Sequence, residues 1–116
     1  YSDVFKNNSS SFLGSGVVFN KFTGSRGKSG SNDANAEYLA VLRNIMDNHN
    51  VHFQMSELGK VDAGGGGTIA YIMSLYGMEV IDCGVAVLNM HAPWEVTSKA
   101  DIYETYKCYK AFLKNA

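Results

Sequence analysis

Proline is almost missing from this 116-residue chain: Pro93 is the only one, and its neighbour Trp94 is the only tryptophan. Cysteine is nearly as scarce. Cys83 and Cys108 form no CxxC pair, which excludes a disulfide framework and a zinc knuckle and leaves two small hydrophobes. No sign of charge dominates: 10 Lys and Arg face 11 Asp and Glu, for a net charge of −1. Such a chain has no basic field to attract nucleic acid or anionic lipid. Its apolar runs are far too short to span a bilayer. No secretory signal pattern opens it, so a reducing cytoplasm is the expected compartment. An initial methionine is lacking as well. The chain starts at Tyr1 in "YSDVFKNNSSSFLG" and reads as a fragment of something longer.

What is present suits a folded domain. With 46% hydrophobic and 18% charged residues, positions 1–116 can build one modest core. "GVVFNKF" (Gly16–Phe22) is β-branched and aromatic and predicts a strand. "TGSRGKSGSN" (Thr23–Asn32) predicts a loop. A helix is expected from Asp33, with Asp33 as N-cap and Tyr38, Leu39, Leu42, Ile45 and Met46 on one face. "VHFQM" (Val51–Met55) alternates as a short strand does. "TIAYIMSLYG" predicts a short helix with Ile69, Ile72, Met73 and Tyr76 as its stripe and Gly77 as its stop. "MEVIDCGVAVL" predicts one strand buried on both faces. Ser98, with Asp101 three residues on, suits the capping box of a last helix whose buried stripe is Ile102, Tyr106, Tyr109 and Leu113. The order β-α-β-α-β-α favours an α/β layered sheet, whose sites collect in the loops beyond the strand ends.

Three loops therefore carry the candidate chemistry. In "NMHAPWE", His91 follows an apolar strand, and Pro93 stiffens the turn and pushes Ala92 toward an extended backbone. Glu95 can orient or charge-balance the imidazole. A metal ligand needs such support, but a turn histidine bonded to a carbonyl fits equally. "AGGGGT" (Ala63–Thr68) strips side chains from a loop before a helix. It suits close backbone approach to a ligand, or a tight turn needing positive φ, and it is not a P-loop. Arg26 and Lys28 stand among glycines, where they can cradle an anion, line a substrate pocket or simply be solvated. His49 and His52 straddle a helix-to-strand junction and need not share a face.

Taken together, "KFTGSRGKSGSNDANAEY", "GKVDAGGGGT" and "MHAPWE" closely resemble the C-terminal part of the zinc aminopeptidases related to aspartyl aminopeptidase and vacuolar aminopeptidase I. The likeness runs from about Tyr1 to Phe112 and is nearer the aminopeptidase I branch. It implies a three-layer αβα zinc-peptidase-like catalytic domain that binds two zinc ions and removes single N-terminal amino acids from peptides. The last metal ligand of that family falls on His91, supported by Glu95. The remaining ligands and the general base are implied to precede Tyr1, so the chain supplies about one ligand and is expected to be inactive alone. The residues expected to face substrate are Asn20, Lys21, Arg26, Lys28, Gly65 and Gly66. The acidic-specific branch carries a lysine where this chain aligns Asn20, with Lys21 beside it, so a neutral or hydrophobic N-terminal residue is favoured. A homo-oligomer, dodecameric by resemblance, is implied. The competing readings are an anion- or nucleotide-binding α/β module using the glycine-rich loop, and a scaffold fragment without chemistry.

Overall fold

The structure, a computed structural model, describes residues 10–24, 31–57 and 69–116. Its elements are β1 (Val17–Asn20), β2 (Phe22–Thr23), β3 (Asn32–Asp33), α1 (Ala36–Asn48), β4 (Phe53–Ser56), α2 (Ala70–Ser74), β5 (Asp82–Gly84), β6 (Val87–Leu88), β7 (Val96–Thr97) and α3 (Lys99–Asn115). The mixed α/β class expected from the pattern is what folds.

The main sheet has the order β4-β1-β5, with β4 parallel and β5 antiparallel to β1. All four residues of β1 are buried, as a central strand requires. Register separates the faces. Phe19 lies beside Met55 and Cys83, and Val17 beside Phe53, so these side chains share one face. That face packs on Ile45 and Met46 of α1 and on Cys108 and Ala111 of α3. The other face carries Val18 with Gln54 and Gly84, then Asn20 with Ser56 and Asp82.

Helix α1 forms where the apolar period predicts, with Leu42, Ile45 and Met46 buried. Its cap is not Asp33, as expected, but Asn35, whose side-chain oxygen accepts the Tyr38 N–H at 2.7 Å. Asp33 belongs instead to the β2–β3 ladder, where it pairs with Phe22 and its carboxylate binds Lys21. The two-residue strands also trim the expected Thr23–Asn32 loop, because Thr23 and Asn32 pair across its base.

Two helical stripes lie opposite to expectation. In α2 the only buried residue is Ala70, and Ile69, Ile72, Met73 and Tyr76 are exposed. In α3 the buried positions are Asp101, Cys108 and Ala111, while Ile102, Tyr106, Tyr109 and Leu113 face outward. The small side chains of Cys108 and Ala111 let α3 approach the sheet closely, and Asp101 is drawn inward by a backbone it bonds. Ser98 is the N-cap residue, but its side chain makes no capping bond. Asp101 completes no capping box either, because its two oxygens accept the N–H groups of Gly14 at 2.8 Å and Gly16 at 3.0 Å.

A candidate metal-ligand turn and a polar sheet face

The segment expected as one buried strand is two elements. β5 ends at Gly84, and Val87–Leu88 then pairs antiparallel with Val96–Thr97 as a small separate ladder. The Thr97 hydroxyl donates to Ala86 O at 2.9 Å and pins the base of this hairpin. Its outer residues Leu88, Trp94 and Val96 are exposed, which corrects the expectation of burial on both faces. The cause is local: Gly84 and the short ladder turn the chain away before it can extend the main sheet.

His91 sits at the hairpin tip rather than at the mouth of the main sheet. The Ala92 N–H donates to Asn89 O at 2.9 Å, closing a turn in which Asn89 has φ 59° and His91 φ 71°. Asn and His are among the few non-glycine residue types enriched in this left-handed region. Glu95 reaches back across the turn and accepts the His91 N–H at 2.5 Å. It thus fixes the backbone of His91, not the ring, as orientation of the imidazole had suggested. His91 is exposed, and neither ring nitrogen is engaged by a described residue. An imidazole held this way offers zinc the nitrogen donor it favours. The described residues contain no group of three or more His, Cys, Asp and Glu that could hold a metal. The fit is therefore to one ligand, and a four-coordinate zinc would draw its other donors from elsewhere.

A second polar assembly lies at the ends of β1 and β4. Asn20, Ser56 and Asp82 stand in register on the sheet face away from α1 and α3. Asn20 and Ser56 are buried, and so are Thr23 and Asn32. The Thr23 hydroxyl donates to Asp82 at 2.6 Å, and the Asn32 amide donates to Val80 O at 2.8 Å. The Asn20 carbonyl oxygen is buried and has no hydrogen-bond partner among the described residues. Buried acceptors are rarely left in that state without a ligand, water or chain to meet them.

Of the residues expected to face substrate, Asn20 lies in this buried polar row. Lys21, its sequence neighbour, is exposed and ion-paired with Asp33. Arg26, Lys28, Gly65 and Gly66 lie outside the described residues, as does the whole Ala63–Thr68 loop. The histidine pair separates: His49 Nδ1 meets Ile45 O at 2.8 Å, whereas the His52 backbone N–H donates to Glu104. Cys108 is buried as expected, and burial followed by the neighbouring Cys83 pushes its thiol up to about 12. Cys83 is only half-buried and lies 3.7 Å from the Tyr109 hydroxyl. That contact, then the Cys83 and Cys108 thiols with burial, raises the Tyr109 phenol to about 12. Sequence reasoning missed the buried role of Asp101 and the Thr23–Asp82 bond. Neither leaves a local signal, because both join segments at least 59 positions apart.

A mixed sheet on paired helices, with buried polar groups at one end of β1 and β4 and a histidine-bearing hairpin following β5, defines a segment of a layered α/β domain. Residues 1–113 match the Aminopeptidase I zinc metalloprotease (M18) family, and the chain belongs to that family. It is 66% identical over 115 residues to "Probable M18 family aminopeptidase 1" of Clostridium acetobutylicum, covering 99% of this chain and 25% of that protein. The crystal structure of aminopeptidase I from that organism superposes with a TM-score of 0.87, covering 97% of this chain and 25% of the other. An M18 family aminopeptidase structure from Thermotoga maritima gives a TM-score of 0.90 at 46% identity, covering 100% of this chain and 26% of that one. The chain thus spans about a quarter of the length of the relatives it matches, and the matching quarter is C-terminal. The structure of prApe1 has a TM-score of 0.76 at 20% identity, covering 96% of this chain and 22% of that one, a likeness of fold.

Proposed function

We propose that residues 1–116 form the C-terminal portion of the catalytic domain of a dinuclear zinc aminopeptidase, and that His91 is one of its zinc ligands. The observation that carries this reading is the turn itself. A left-handed backbone, closed by Asn89 and clamped by Glu95, holds an imidazole whose two nitrogens are engaged by no described residue. A non-glycine residue at positive φ is uncommon, and here two hydrogen bonds hold the turn that contains it.

Zinc, when bound, supplies Lewis-acid polarisation of the scissile carbonyl and lowers the pKa of a water. This chain's own residues do the rest of what is visible. Glu95 fixes the His91 backbone, so the ring starts from a defined place. The buried Asn20 presents an uncharged acceptor at the strand end. Lys21 is taken up by Asp33. Neither residue therefore offers a free cation to an acidic side chain, which supports release of neutral or hydrophobic N-terminal residues. The general base and the other metal ligands belong to the rest of the subunit, so the 116-residue chain by itself has no peptidase activity. A homo-oligomer, a dodecamer, working in the cytoplasm completes the reading. The free thiols of Cys83 and Cys108 suit that reducing compartment.

His91→Ala in a full-length subunit tests the assignment. The expected outcome is lost zinc and loss of most leucine anilide turnover with the fold intact by circular dichroism. Unchanged zinc content and turnover would remove His91 from the site. A nucleotide panel that stabilised the protein in the presence of chelator would favour the anion-binding reading instead.

A further inference from the structure

The polar row at the end of the main sheet presents lone pairs rather than donors. Asn20 closes β1, Ser56 closes the parallel strand β4, and Asp82 opens β5, and register sets the three side by side on one face. This is the carboxyl end of the parallel pair, where α/β sheets gather ligands. Adjacent strands run about 4.8 Å apart, so oxygens on neighbouring side chains can share one small ligand. The hydroxyl hydrogens of the row are already committed. Thr23 donates its own to Asp82 at 2.6 Å, and Ser56 donates its own to the Glu57 carbonyl at 3.3 Å. Each hydroxyl keeps its lone pairs. Asn20, only 8% exposed, adds a buried side-chain carbonyl oxygen that meets no donor among the described residues. Among those residues the half-buried Asp82 carboxylate accepts only the Thr23 hydroxyl and pairs with no basic side chain.

We propose that Asn20, Thr23, Ser56 and Asp82 bind one alkali cation, potassium or sodium, with water completing its shell. A hydrogen-bond donor would answer one of these oxygens, whereas four acceptors gathered with one formal negative charge match a single cation. Carbonyl, hydroxyl and carboxylate oxygens are the ligands that hard cations take. One carboxylate among neutral oxygens suits a singly charged ion. The described residues hold no group of three or more His, Cys, Asp and Glu that would favour a divalent transition metal. The ion and the Asp82 carboxylate neutralise each other, so the site offers no free positive charge to a substrate. Its place is structural: it joins the ends of β1 and β4 to the start of β5. The inference stands apart from the zinc reading, and its test reads stability rather than turnover.

A full-length subunit containing residues 1–116, with its metal in place, is melted in the chlorides of potassium, sodium and tetramethylammonium at equal ionic strength. Tetramethylammonium is too bulky to be held by these oxygens. The expected result is a melting temperature higher by roughly 2–4 °C in potassium or sodium, and the salt giving the larger rise names the ion. Equal melting temperatures in all three salts would overturn the proposal. Asn20→Leu removes the buried acceptor at similar volume. It is expected to lose the salt difference and, in tetramethylammonium, to melt no lower than the parent. A salt difference that persists in Asn20→Leu overturns the proposal. So does an equal drop in all three salts, which would show that protein groups meet the Asn20 amide. Should Asn20→Leu fail to fold, Asp82→Asn keeps the size and one oxygen but not the charge. A midpoint for the favoured ion raised at least tenfold in that variant supports the site, and an unchanged midpoint overturns it.

Discussion

The carboxylate of Asp101, fully buried in the first turn of α3, accepts the backbone N–H groups of Gly14 and Gly16, more than 80 positions earlier in the chain. It ties the start of the last helix to the entrance of the central strand. α3 is thereby fixed on β1 at one end, and its small-residue face is set against the sheet.

Asp101→Ala is expected to leave the buried Gly16 N–H and the part-buried Gly14 N–H without their acceptor. A charged acceptor with two donors suggests a loss of about 2–4 kcal/mol of stability. Asp101→Asn keeps one acceptor oxygen and is expected to lose less. Urea unfolding monitored at the tyrosines orders the two variants, and equal midpoints would show that the carboxylate does not hold the joint.

Gly16 cannot carry a side chain. It has φ +91°, and an added Cβ would lie 2.1 Å from the His52 carbonyl oxygen. That carbonyl accepts the Val17 N–H at 3.0 Å, so it cannot withdraw without breaking the β1–β4 junction. Gly16→Ala is expected to cost about 3–5 kcal/mol from backbone strain and overpacking together. Gly14→Ala meets no atom within 4 Å and is expected to suffer only the penalty of its positive φ. Comparing the two variants by thermal melting separates steric contact from conformation.

Acid should weaken the contact between α3 and His52, just ahead of β4. Burial alone would raise Glu104, but the N–H of His52 and the ammonium of Lys107 bond it and bring it below its ordinary 4.5. A carboxylate lowered in the folded state contributes stability that is present above 4.5 and lost as pH falls through the folded value. Melting temperatures measured below pH 5 should therefore fall less steeply for Glu104→Gln than for the parent chain. Parallel curves would remove Glu104 from the acid transition.

At the alkaline end Cys108 acts in the opposite sense. Its thiol ionises near 9.0 when unfolded and is pushed up to about 12 by burial. The folded state keeps a proton that the unfolded state releases, so stability is complete below 9.0 and declines as pH rises toward 12. Cys108→Ala is expected to flatten that decline. At pH 8 a disulfide reagent should modify Cys83, which is half-buried, well before Cys108 in the folded chain.

How much of this was legible in the residues depends on how locally each feature is specified. The strand read from β-branched and aromatic residues over Gly16–Phe22 forms as Val17–Asn20, with Phe22 passing to a second ladder, and the Leu42–Ile45–Met46 face stands where periodicity placed it. Asn35 took the cap from Asp33 because a two-residue strand, invisible to periodicity, claimed Asp33 first. The stripes of α2 and α3 misled for another reason. Periodicity finds an apolar face without saying what covers it, and in α3 the closer-packing Cys108 and Ala111 won the sheet. At the site, the "MHAPWE" turn was readable as a unit. The backbone target of Glu95 and the orphaned Asn20 oxygen are tertiary facts with no sequence signature.

Under the zinc role proposed for His91, its positive φ has a consequence for engineering metal preference at this turn. Exchanging one coordinating side chain for another is usually governed by donor type and reach. Here the main chain imposes a prior filter. Asp or Asn tolerates a left-handed backbone and could replace the imidazole with an oxygen donor at modest strain, whereas a β-branched Thr would be strained there. The turn thus limits which ions a redesigned centre could be made to choose before any coordination chemistry is considered.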